Sequence, residues 1–269
     1  MNFTKMQGAG NDFIIINNIE EKRNSEEYHE LAKKFCERRL SLGADGMIVV
    51  EESKDADFRM FFLNSDGSEG EMCGNGARCI ARYAYEHGLS GEVQRFETRA
   101  GIVTGQRIDE TYYRIQLNSP TEIREDMDIT VEGRDYHLDY AELGDPGIPH
   151  VAVETEELEE LTDEELIRRG RSLRYASHFP KGANINFYKI QDDGSVLEKT
   201  YERGVEDLTL ACGTGSGTVA FFLVKRGSVK GNRVCIHVPG GTLYLEIVDG
   251  DKIFLEGPTC DVAEGKLFL

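Results

Sequence analysis

The chain repeats itself. Reading from Met72, MCGNGARCIARYAYEHG aligns without gaps on ACGTGSGTVAFFLVKRG from Ala211. At a constant offset of 139 positions, Cys73 falls on Cys212, Gly74 on Gly213, Gly76 on Gly215, Ala81 on Ala220 and Gly88 on Gly227; further on, Gly101 falls on Gly240. Each copy reads as a strand, a Cys-Gly-x-Gly turn and a helix of about four turns, closed by a Gly where a left-handed cap is needed. The helices are apolar over most of their circumference, Thr218 to Val224 above all, and a helix with little polar face is enclosed by protein.

Short strand candidates surround both helices. FIIIN, GMIVVEE, DFRMFFLN, RFETRAGIV and YYRIQL lie in the first half; GRDYHLDYAEL, HVAVE, NINFYKI, KTYERG, NRVCIHV, TLYLEIV and KIFLEGP lie in the second. Alternation, aromatic and β-branched residues support them, with Gly, Asp and Asn at their ends. Amphipathic helices are expected over 25–40 and 162–173, the latter opening on a Thr162-Asp-Glu-Glu capping box. The acidic run 154–160 reads as a solvated face. The expected fold is α+β, with two pseudo-symmetric halves that each wrap strands around one buried helix. Residues 1–117 with 262–269 form the half carrying Cys73, and 118–261 the half carrying Cys212.

At 269 residues the chain is long enough for two cores. Its 49 acidic and 31 basic side chains leave a formal charge of −18 and no basic run, which excludes nucleic acid or an anionic membrane as the main partner. An anionic small molecule would need locally placed donors. No stretch is apolar enough to span a bilayer and the N-terminus lacks the features of a secretory signal, so the expected compartment is the cytoplasm. The six cysteines show neither C-x-x-C pairs nor finger spacing, so neither disulfides nor a metal are expected. Cys36, Cys79, Cys235 and Cys260 are expected to act as small buried apolar residues.

Cys73 and Cys212 have another account. A Cys at a helix amino end meets unpaired N–H groups and a partial positive charge, expected to stabilise its thiolate, while the glycines after it let backbone N–H groups approach a carboxylate. Two such turns facing each other would place two sulfurs about one small carboxylate substrate. One thiolate would remove an α-proton and the other thiol return a proton to the opposite face, with helix-end donors stabilising the carbanion. No motif for a metal or a pyridoxal cofactor is present, and none is required.

KMQGAGNDF (5–13), GADG (43–46), NSDGSEGEMCGNGARC (64–79), PHVAV (149–153), ANINF (183–187), YERGVEDLTLACGTG (201–215) and PGGTL (239–243) together resemble the diaminopimelate epimerase family over nearly the whole chain. The resemblance implies two pseudo-symmetric domains, each a β-barrel-like sheet around a central helix, a homodimer, and cofactor-independent epimerisation of LL- to meso-diaminopimelate. It implies that Cys73 and Cys212 are the two bases, assisted by His150 and Glu202. Gly74, Asn75, Gly213 and Thr214 would hold the reacting carboxylate, and Asn11, Asn64, Asn184 and Arg203 the rest of the substrate, with Arg203 toward the distal carboxylate. Asp12, Asp45 and Asp66 read as turn or cap residues outside the site.

Two positions depart from the family pattern. Ile148 stands where many members have Asn, and Leu208 where many have Glu, both expected near the part of the site that distinguishes amino acids. A racemase of another amino acid, such as histidine, is therefore the alternative on the same scaffold. Cys73-Gly74-Asn75 differs from the Cys-Gly-His of proline racemases and hydroxyproline epimerases, and phenazine-type isomerases lack the paired thiols. A non-catalytic amino-acid-binding protein would have no use for two bases.

Overall fold

The computed structural model describes residues 1–70 and 72–269. The chain divides into two compact units, Met1–Gln116 with Glu256–Leu269, and Leu117–Leu255. The first contains β1 (Asn2–Gly8), β2 (Asn11–Asn17), the short α1 (Asn18–Glu21), α2 (Glu27–Cys36), β3 (Gly46–Glu51), β4 (Phe58–Asn64), α3 (Gly74–Glu86), β5 (Val93–Thr98), β6 (Gly101–Arg107) and β7 (Tyr112–Gln116). The second contains β8 (Pro120–Val131), β9 (Arg134–Leu143), β10 (Ile148–Glu154), α4 (Asp163–Arg174), β11 (Asn184–Ile190), β12 (Val196–Glu202), β13 (Asp207–Thr209), α5 (Gly213–Arg226), β14 (Arg233–Val238) and β15 (Gly241–Val248). β16 (Lys252–Pro258) carries the chain back, and β17 (Cys260–Lys266) ends it in the first unit.

The repeat is visible in the pairing. In the first unit β1–β2 is antiparallel, β2–β3 parallel across α2, β3–β4 antiparallel, β4–β5 parallel across α3, and β5–β6 antiparallel. In the second, β9–β10, β10–β11 across α4, β11–β12, β12–β14 across α5, and β14–β15 run in the same order of senses. A parallel pair needs a crossover, and each unit supplies one helix on either face of its sheet.

The two helices of a unit do different work. α2 lays Tyr28, Ala32 and Phe35 on Ile14, Ile16, Met47, Val49 and Phe61; α4 lays Leu166 and Leu173 on Val151, Val153, Ile185 and Phe187. α3 packs against β1, β2, β6 and β7, and α5 against β9, β10, β11, β14 and β15, so strands from both ends of each sheet close around the helix. Strands covered on both faces lose the alternation of a half-buried strand, which is why Phe13 to Ile16 and Met47 to Val50 are unbroken apolar runs. α5 is buried at Gly213 and from Gly215 through Leu223, and closes on Gly227 at φ +69. Thr162 caps α4 by accepting from the Glu165 N–H, as the capping box predicts.

Several expectations are corrected. α2 stops at Cys36 rather than 40, because Arg39 turns left-handed at φ +73 and Arg38 reaches across to Asp12 and Asp45. RFETRAGIV is a hairpin broken at a turn, with Gly101 at φ +108, and not one strand. No strand leads directly into Cys73 at Met72, although a bridge joins Leu63 to Glu69; the adjoining residue 71 lies outside the described residues. β1, β8, β13 and β17 are not among the expected strands; β8 is mostly exposed, although Met127, Ile129 and Val131 alternate along it and pack on the core under α4, and β17 is exposed along its whole length. Residues 256–261 belong with the first unit, where Thr259 bonds to Thr111 and β17 pairs with β1. That edge also leaves Cys260 exposed and, with Cys235 only half-buried, limits the inert buried role to Cys36 and Cys79.

Candidate active site

Each Cys of the repeat caps its helix in the same backbone conformation: Cys73 ahead of α3 at φ −123°, ψ 119°, and Cys212 ahead of α5 at φ −120°, ψ 99°. The amide end of a helix leaves N–H groups without helical partners. At α5 the Gly215 N–H and the Thr214 hydroxyl both turn toward the Cys212 sulfur, with Thr214 Oγ1 3.7 Å away. These contacts do not produce the thiolate expected from the sequence. Burial pushes the Cys212 thiol well above its ordinary range, Glu202 and Glu198 push the same way, and the helix-end contacts only oppose them. Cys212 rests as a thiol.

In the first unit, Cys73 Sγ donates to Asn11 Oδ1 at 3.4 Å, and Asn75 Nδ2 donates to the same oxygen at 3.3 Å. Asn75 receives Arg78 Nη2 on its own oxygen at 2.9 Å. Asn11 Nδ2 donates to Asp45 Oδ2 at 2.6 Å. A guanidinium can only donate and a carboxylate only accept, so Arg78 and Asp45 fix the direction of both amides and turn the Asn11 oxygen to Cys73. Asp45 is thus part of the hydrogen-bond network around Cys73 and not merely a cap. Its signal in the sequence was the GADG segment among the resembling motifs. Asn64 is taken up locally, its Nδ2 donating to Ser68 Oγ at 3.0 Å, beside the β3 end that follows Asp45.

In the second unit, the structure brings together His150, Asn184, Arg203 and Cys212, with Asn186 among them. Asn184 Oδ1 accepts the Arg203 N–H at 2.8 Å and its Nδ2 reaches Pro149 O at 3.4 Å, so Asn184 sets the backbone that carries Arg203. His150 is fully buried; burial first, then the Arg203 charge, hold its imidazole neutral by pulling it down to about 3. The second glycine of each motif serves packing. A Cβ on Gly76 would meet Ile48 Cδ1 at 3.1 Å, and one on Gly215 would meet Asn186 Oδ1 at 2.1 Å. Leu208 packs against the core under α4, so the apolar residue there is held by hydrophobic contact, while Ile148 is half-buried at the start of β10.

Glu198 is a fully buried carboxyl with no ion pair among the described residues. It accepts from Ser216 Oγ at 2.5 Å, and burial raises it to about 8 against the Ser216 and Thr200 hydroxyls. Among the described residues no three His, Cys, Asp or Glu side chains gather as a metal would require, and no helix is long and apolar enough to cross a membrane.

The family model described as diaminopimelate epimerase matches residues 3–119 and 144–260, once per half. The diaminopimelate epimerase of Hydrogenobaculum sp. (strain Y04AAS1) is 39% identical over 276 residues, spanning 99% of this chain and 98% of that protein. That of Archaeoglobus fulgidus is 38% identical over 279 residues, spanning 99% and 96%. A phenazine biosynthesis protein of the PhzF family from Bacillus anthracis matches in structure with a TM-score of 0.75 at 16% identity, over 100% of this chain and 99% of that one, which shows a shared fold.

Two outcomes are expected. Asp45→Ala frees the Asn11 amide, so alkylation of Cys73 by iodoacetamide, mapped by mass spectrometry, should speed up several-fold while Cys212 is unaffected; an unchanged Cys73 rate contradicts the assigned orientation. Glu198 is raised in the fold from an ordinary 4.5 to about 8, so the stability it contributes is complete below 4.5 and is lost as pH rises through 8. His150, lowered in the fold, loses its contribution on the other side, as pH falls from 6.5 toward 3. The difference between parent and Glu198→Gln in urea midpoint should therefore move steadily in favour of the variant between these two Glu198 limits, and a pH-independent difference contradicts a buried neutral carboxyl.

Proposed function

The chain belongs to the diaminopimelate epimerase family, and from that premise we propose that it interconverts LL- and meso-diaminopimelate by two-base proton transfer between Cys73 and Cys212. One sulfur, as thiolate, takes the α-proton and becomes a thiol; the electron pair left on carbon spreads onto the adjacent carboxylate. The other sulfur, as thiol, gives its proton to the opposite face and becomes a thiolate. Atoms and charge balance, and the two sulfurs have exchanged roles for the reverse reaction. Because Cys212 rests protonated, it is the acid for whichever stereoisomer presents its α-proton to Cys73, and turnover of the other stereoisomer needs it deprotonated.

The amide ends of α3 and α5, at Gly74, Asn75, Gly213 and Thr214, supply donors for the carboxylate on which charge develops. Arg203 takes the distal carboxylate, which answers the repulsion of a chain carrying −18. His150 and Glu202 stand by the sulfurs, and Asn11, Asn64 and Asn184 complete the polar surround, Asn184 by setting Arg203. The observation that carries this reading is the duplicated geometry of the two cysteines, each capping a buried helix in the same backbone conformation. The same reading carries a small-molecule amino-acid substrate, a homodimer and a cytoplasmic setting, as the family resemblance implies.

The test is a substrate panel in heavy water. LL-diaminopimelate should yield the meso form with solvent deuterium at the inverted α-carbon, and Cys73→Ser or Cys212→Ser should each slow this by about 10²-fold or more. Rate with a stereoisomer that needs Cys212 as the base should climb as pH rises on the alkaline side. Exchange into histidine with none into diaminopimelate would replace the proposed substrate, and full activity in either serine variant would end the two-base assignment.

A further inference from the structure

Behind Cys212 lies a polar network built wholly from buried side chains. Ser216 Oγ donates to Glu198 Oε2, Thr200 lies against the same carboxyl, and Thr200 Oγ1 donates to Asn186 Oδ1 at 3.0 Å. Asn186 Nδ2 donates to Val151 O at 2.9 Å and faces His150 Nδ1 at 3.5 Å. His150, Asn186, Glu198 and Ser216 are fully buried, and Thr200 nearly so. The place of Asn186 beside the catalytic helix is fixed by Gly215, whose missing side chain makes room for the Asn186 oxygen and lies next to the Cys212 sulfur.

The direction of this amide is not free. Val151 O can only accept, so the NH₂ end of Asn186 must face it, and the Thr200 hydroxyl is left to the oxygen. The same NH₂ group then points its other hydrogen at His150 Nδ1. A proton on Nδ1 would set N–H against N–H in a buried place, which costs the desolvation of both donors. Burial also keeps the ring from carrying two protons. Nε2 has no partner among the described residues. A buried donor left this way is expensive unless something is bound to it.

We propose that Asn186 is a positioning residue that locks His150 in the Nε2–H tautomer, so that His150 meets the substrate as a neutral hydrogen-bond donor and not as a base. The inference rests on the proposed reading, with His150 beside the sulfurs and so within reach of the reacting carboxylate. The donor it offers strengthens as negative charge grows on the carboxylate, and it leaves all proton transfer to carbon with the two sulfurs. Nothing in the sequence separates Asn186 from Asn184 two residues earlier; only the register of β11 beside His150 and Val151 of β10 does so.

The decisive experiment is a two-bond proton–nitrogen correlation spectrum of the full-length protein labelled with ¹⁵N-histidine and free of substrate. The His150 signal is identified by its loss in His150→Gln. Between roughly pH 6 and 8 it should be a neutral ring protonated on Nε2. Asn186→Asp replaces the donor with an acceptor and should move the proton to Nδ1, lowering kcat by about 10²-fold with KM within a few-fold. Asn186→Ala removes the donor that faces Nδ1 and should produce a mixture of tautomers, which serves if the aspartate variant does not fold. An Nδ1–H ring in the parent, or an unmoved proton in the variants that fold, overturns the proposal. Because the spectrum is read without substrate, a failed substrate panel and a wrong tautomer are separate results: the first removes the proposed reaction, the second only this role of Asn186.

Discussion

A helix sealed inside a sheet must do two things that a surface helix need not. It must present mostly small or apolar residues and pair any polar one it buries, and it must find partners for the N–H groups at its amino end away from water. α3 and α5 meet the first demand largely with Gly, Ala and aromatic residues, and both set a cysteine at the cap, where the proposed reaction would use it. The glycines of the repeat follow from the same constraint: at Gly215 the Asn186 oxygen fills the place of a side chain, and at Gly76 a Cβ would crowd Ile48. The Cys-Gly-x-Gly signature is therefore as much a packing rule as a chemical one.

Duplication of the backbone did not duplicate the electrostatics. Arg78, fully buried one turn into α3, remains a cation, though burial draws it down to about 10. Its counterpart on α5 is Gly217, where a Cβ would meet Leu117 Cδ1 at 2.9 Å. In place of that cation the second unit buries the neutral carboxyl of Glu198 against Ser216. Cys73 thus sits in a network running from Arg78 to Asp45, and Cys212 lies in front of one running from Glu198 to His150. A reaction in which one face gives up a proton while the other receives it does not call for identical surroundings.

Much of this was legible in the sequence. The gapless repeat disclosed two related units, and the apolar circumference of 218–224 disclosed a central helix. Long apolar strands such as FIIIN and GMIVV were legible because both of their faces are covered. What escaped was whatever shows little apolar pattern: β8 offers only Met127, Ile129 and Val131 among charged, exposed residues, and β17 is exposed throughout and paired with β1 at the other end of the chain. The cysteines and their helix ends were legible as a motif, but the protonation of Cys212 was not. Helix-end donors argue for a thiolate, and only the structure shows that loss of solvent outweighs them. The roles of Asp45 and Asn186 likewise depend on which end of an amide faces which neighbour, a matter that spacing along the chain does not encode.

The central claim is that a proton leaves one face of the α-carbon to one sulfur and a different proton arrives from the other. The measurement that bears on it most directly is the partition of deuterium between product and recovered substrate early in the reaction in heavy water. Two bases predict product labelled at the inverted carbon and recovered substrate still carrying its original hydrogen, from either stereoisomer. Unlabelled product, or equal labelling of product and recovered substrate from the first turnovers, would mean that a single base serves both faces and would contradict the account.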